Sequence, residues 1–70
     1  MASYKYTDEL EKKILDALEN AEWMPAIDIA HWAEIKPRRM YFLIDEAVKR
    51  GKVEKNWDGN LGITYYRKKV

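Results

Sequence analysis

Apolar residues recur at helical spacing through the first fifty positions and at alternating spacing after them. Leu10, Ile14, Ala17, Leu18 and Ala21 follow i, i+4, i+7, i+8, i+11, one stripe of a helix over residues 8–20, with Lys12, Lys13, Asp16 and Glu19 off it. Thr7 is placed to cap this helix, and Asp8 and Glu9 suit its positive end. Residues 22–24 read as a short extended connector, because the residue before Pro25 is steered away from helical angles. Pro25 suits the first turn of a second helix, whose apolar positions are Ile27, Ile29, Ala30 and Ala33 and which ends near Ala33 or Glu34.

Pro37 opens a third helix over residues 37–50, with Met40, Leu43, Ile44, Ala47 and Val48 on its apolar side. Gly51 ends it, being free to turn left-handed. The period then changes to two. Val53, Lys55 and Trp57 alternate with Glu54 and Asn56, Asp58-Gly59-Asn60 signals a turn that can extend through Leu61 and Gly62, and a second strand spans Ile63–Lys68. The sum is an α+β chain in a single domain over residues 1–70: a tail over 1–6, three helices within 7–50 and a hairpin over 51–70.

This order, with a short turn between the second and third helices, resembles a winged helix-turn-helix domain. The residues that carry the resemblance are Ile29-Ala30, Ala33, Ile35, Lys36-Pro37, Met40, Ile44, Ala47, Gly51 and Val53, and it extends over residues 7–69. In size and in its tyrosine-rich last strand the chain is also similar to the very small winged-helix regulators of bacterial fimbrial operons. One position departs from the family pattern: the turn residue often held by Gly is Glu34. A Glu at positive φ would cost about 1 kcal/mol, so a reshaped turn is expected there.

Charge sharpens this picture. Thirteen Lys and Arg against twelve Asp and Glu give a net +1. Residues 1–35 nevertheless hold three basic and eight acidic side chains, a net −5, while residues 36–70 hold ten and four, a net +6. A polyanion would approach the second half, unless the asymmetry merely solvates two faces.

The resemblance implies a third helix in the DNA major groove, its N-terminal part nearest the bases. Arg38 and Arg39 then reach guanine edges or phosphates, Lys36 meets a phosphate, Phe42 contacts a thymine methyl, Lys49 lies with Arg38 and Phe42 on the exposed face, and Tyr41 flanks it. The hairpin wing would contribute Lys55, Asn56, Asn60, Arg67 and Lys68 to the adjacent backbone or minor groove. Lys68 and Lys69 serve equally well as guards of an exposed sheet edge.

Two alternatives stand beside DNA contact. An exposed aromatic among charges, Phe42 with Asp45 and Glu46 beside it, is also what a protein-binding hot spot looks like, with Tyr41 and Trp57 as companions. Phe42 could instead be covered by Tyr4 or Tyr6. Trp23 and Trp32 are expected to pack, as is Tyr65 or Tyr66, because one face of the hairpin must cover the helices; Trp57 is left open.

The chain has no cysteine and one histidine, His31, so thiol chemistry and a Cys or multi-His metal site are excluded, and no metal or cofactor is expected. The three glycines, Gly51, Gly59 and Gly62, form no phosphate-cradling loop. Neither a membrane-spanning apolar run nor a signal-peptide core is present. The expectation is a non-enzymatic cytoplasmic regulator of bacterial, phage or archaeal type, binding double-stranded DNA as a monomer or weak homodimer. The rival is a winged-helix adaptor docking on a larger regulator, polymerase or phage component.

Overall fold

The computed structural model describes residues 5–19 and 22–69. Thr7 is extended at φ −123°, and its Oγ1 accepts the Leu10 N–H at 3.1 Å, which starts helix α1 (Asp8–Ala17) beneath the acidic Asp8, Glu9 and Glu11. The helix is shorter than the predicted 8–20. At Leu18 the N–H is shared between the carbonyls of Ile14 and Leu15, at 3.2 and 3.1 Å, and this tightened last turn puts the Leu18 side chain into the core. Asn20 and Ala21, assigned above to the helix and its stripe, lie outside the described residues, as does Tyr4.

The connector is recruited into a sheet. Strand β1 (Met24–Pro25) pairs antiparallel with the last strand, Met24 opposite Tyr66 and Pro25 opposite Tyr65. Pro25 therefore belongs to an edge strand and caps the next helix from outside, at ψ 157°, instead of forming its first turn. Helix α2 (Ala26–Ala33) buries Ala26, Ile29, Ala30 and Ala33, an i, i+3, i+4, i+7 set. Ile27 lies about 100° off that direction and is exposed, contrary to its place in the predicted stripe.

Glu34 is a further correction. The turn is not reshaped: Glu34 sits at φ 57°, ψ 43°, fully left-handed. The Ile35 N–H returns to the Ala30 carbonyl at 2.9 Å and the Glu34 N–H to that of His31 at 3.3 Å. These two bonds demand a left-handed residue between them whatever its side chain.

Helix α3 (Pro37–Lys49) starts with Pro37 after an extended Lys36 and ends one residue before the predicted limit. It buries Met40, Leu43, Ile44 and Ala47, while Val48 is half-buried. Gly51, at φ 75°, closes it with the same pair of bonds, Lys52 N–H to Ala47 and Gly51 N–H to Val48.

Strands β2 (Val53–Asp58) and β3 (Ile63–Lys68) pair antiparallel, and the sheet order is β1-β3-β2. The expected two-stranded hairpin is thus part of a three-stranded antiparallel sheet. Val53 and Tyr66 turn one face onto the helices, where they close a core of Ile14, Leu18, Ile29, Met40, Leu43 and Ile44. Tyr65 points the other way and is half-buried.

Candidate nucleic-acid interface

Because Met40, Leu43, Ile44 and Ala47 anchor α3, its remaining positions face outward: Arg38, Arg39, Tyr41, Phe42, Asp45 and Lys49 are all exposed. Lys36 is exposed just ahead of them and offers no side-chain cap to the helix N-terminus. Among the described residues the ion pairs are Arg50–Glu46, at 3.0 Å, and Arg67–Glu54, at 2.7 Å. Lys36, Arg38, Arg39, Lys49, Lys55 and Lys68 enter neither.

Two aromatics leave α3 on different flanks. Tyr41 faces the hairpin and borders a groove with Ile27, Trp57, Ile63 and Thr64. Phe42 faces a shallow depression shared with Tyr6, Glu46, Lys49 and Arg50. Of the two residues expected as cover for Phe42, Tyr4 lies outside the described residues and Tyr6 is engaged elsewhere. Phe42 keeps 60% of its surface exposed, while the Tyr6 hydroxyl donates to Glu11 Oε1 at 2.8 Å and its ring lies 4.4 Å from the Arg50 guanidinium. Burial, the hydrogen bond to Glu11 and that carboxylate's charge push the Tyr6 hydroxyl far above the usual tyrosine range. Tyr66 is raised by burial first, and then by Asp45 and Tyr41.

In the sheet, alternation separates residues the sequence places side by side. Lys55 and Trp57 share the helix-facing side with Val53 and Tyr66, whereas Asn56 points to the opposite face. Lys55, Asn56, Asn60 and Lys68 are exposed, and Trp57 is 62% exposed at the groove it borders with Ile27 and Tyr41. Arg67 differs from the other basic candidates. It is half-buried on the outer face, bonded to Glu54 and stacked 4.5 Å from the Trp23 ring.

Both remaining tryptophans are expected to pack, and only the expectation for Trp32 needs correction. Trp32 is 69% exposed, with an edge contact to His31, whereas Trp23, 38% exposed, packs against the Arg67 guanidinium at 4.5 Å. They line a cleft between α1 and α2 together with Asp16, Glu22, Asp28 and Glu34, four carboxylates against the single cation Lys13. Sequence reasoning also missed Ile27, Ile63 and Leu61 as exposed apolar residues. Only Leu61 carried a signal, as a large apolar side chain inside a Gly- and Asn-rich turn.

Among the described residues no group of three or more His, Asp or Glu side chains is placed to hold a metal ion. None of their helices is long and apolar enough to cross a membrane. No family model and no curated protein matches this chain.

Proposed function

We propose that this chain is a winged-helix regulator that binds double-stranded DNA, with α3 in the major groove and the β2–β3 hairpin as a wing on the adjacent backbone. The observation that carries this reading is the cluster of exposed cations at the start of α3, Lys36, Arg38 and Arg39, none of which enters the ion pairs of the described residues. A guanidinium with no internal carboxylate can take guanine O6 and N7 or a phosphate without breaking an existing pair. Arg38 and Arg39 act at base edges, Lys36 at a phosphate beside the helix N-terminus, and Phe42 and Tyr41 at thymine methyls or sugars. Lys55 holds the neighbouring strand's backbone. Glu46 is held by Arg50, while Asp45 enters neither ion pair of the described residues. Arg67, paired with Glu54 and stacked on Trp23, is the one basic candidate of the wing that would have to give up an existing pair to reach DNA.

A specific observation favours a second reading, a protein adaptor in the cytoplasm. The groove bordered by Ile27, Tyr41, Trp57 and Ile63 is mainly apolar, and all four side chains are exposed, which suits a protein partner better than DNA. The deciding experiment is an NMR titration of labelled protein with a random-sequence duplex at two salt concentrations. DNA binding shifts residues 36–42 and the 55–60 segment, weakens steeply with salt, and is lost in the Arg38→Ala/Arg39→Ala double variant. Shifts that are absent, or confined to the acidic α1–α2 cleft, refute it and leave the adaptor.

A further inference from the structure

We propose that the hairpin turn is an apolar wedge: Leu61 enters the minor groove beside the α3 site and partly unstacks one base step. The proposal rests on the DNA-binding reading and specifies how the wing takes part in it.

The turn over residues 59–62 is built to present one side chain. The Asp58 carboxylate accepts the N–H groups of Asn60 and Leu61 at 2.9 and 3.2 Å, and the Gly62 N–H closes on the Asp58 carbonyl at 2.8 Å. Gly62 is left-handed at φ 68°. Trp57 backs the turn, since a Cβ at Gly59 would lie 3.7 Å from its indole nitrogen and one at Gly62 would lie 4.0 Å from its ring. Leu61, held by its own N–H, remains 64% exposed. A turn already fixed by three hydrogen bonds loses little freedom on insertion.

The side chains in the turn also select the kind of contact. A wing that only followed phosphates would carry a cation here, yet residues 59–62 contain none, while the half of the chain they belong to is net +6. What the turn offers is an amide, Asn60, suited to minor-groove acceptors, and a leucine, one of the apolar residues that separate stacked bases. Asp58, the nearby carboxylate, is turned onto two N–H groups. Tyr41 of α3 and Trp57 behind the turn border one groove, so helix and turn serve the same side of the molecule.

A wedge reads deformability. Pyrimidine–purine steps such as TA and CA open easily, whereas A-tracts are stiff. The test is competition at low salt between two duplexes of equal length and charge, one rich in TA and CA steps and one an A-tract. The wild-type protein favours the flexible duplex several-fold and brings its end-attached dyes closer together. Leu61→Ser abolishes both effects and leaves the salt dependence unchanged, and Leu61→Met restores them. Equal binding of the two duplexes by the wild-type protein, or a preference that survives in Leu61→Ser, overturns the wedge and leaves the DNA reading intact. Failure to bind either duplex overturns both.

Discussion

Glu54 and Arg67 stand opposite each other in the β2–β3 ladder, Arg67 Nε 2.7 Å from Glu54 Oε2, and the same guanidinium lies 4.5 Å from the Trp23 ring. One side chain thereby ties the hairpin to the residue that leads into β1. The three form a row across the face of the sheet that points away from the helices. Both charged groups are more than a third exposed, so solvent screens much of their attraction. Arg67→Ala is expected to lower the unfolding free energy by about 1 kcal/mol, including the lost contact with Trp23. It should leave DNA affinity and its salt dependence close to wild type. Urea unfolding and a binding titration on the same variant check both halves.

The ends of α2 and α3 make a second, paired prediction. Both close with the same two backbone bonds, but the left-handed residue is Glu34 in one and Gly51 in the other. Glu34→Gly removes the crowding of a Cβ at φ 57°, offset in part by the greater freedom of glycine in the unfolded chain. A net gain of about 0.5–1 kcal/mol is expected. Gly51→Ala should lose about 1 kcal/mol. An added Cβ there meets nothing within 4 Å, so the loss is conformational alone. Thermal melts of the two variants should shift in opposite directions.

That contrast marks where the sequence could be read. The stripe Met40, Ile44, Ala47, the proline start of α3 and the alternation before Asp58 are local signals, and each reappears as an element of the structure. The left-handed Glu34 is not legible locally, because its conformation is imposed by the bonds of the Ile35 and Glu34 N–H groups to Ala30 and His31, not by its own preference. Pairing of β1 with β3 joins residues some forty positions apart, and no local pattern announces it. Among the expected interface residues, exposure of Lys36, Arg38 and Arg39 followed from helix phase. The ion pair that engages Arg67 required the strand register.

Two tyrosines predict the alkaline limit of the fold. The hydroxyls of Tyr6 and Tyr66 are both raised above the ordinary 10.0, mainly by burial. The unfolded chain ionises first as pH rises, so it binds fewer protons than the native state above that value. Their contribution is complete below about pH 10 and is lost as pH climbs toward the raised native values. Tyr6→Phe, which removes the bond to Glu11, should make the alkaline decline shallower. Phenolate absorbance followed alongside circular dichroism will show whether ionisation and unfolding coincide.

Phe42 and Ile44 sit two residues apart on α3 and should separate stability from recognition. Ile44 is fully buried in the core, so Ile44→Ala is expected to cost about 2–5 kcal/mol. A chain of this length has a total stability of roughly 4–10 kcal/mol, so the variant should be largely unfolded or close to it. Phe42 is 60% exposed, and Phe42→Ala should cost no more than about 1 kcal/mol. The same substitution then distinguishes the two functional readings in a folded protein. If α3 lies in a major groove, Phe42→Ala weakens specific binding while the salt-dependent attraction due to Lys36, Arg38 and Arg39 persists. If the helix docks on a protein, that partner is lost and whatever weak affinity for duplex DNA the wild type has stays the same. Urea denaturation by circular dichroism and anisotropy titrations at two salt concentrations supply both readouts.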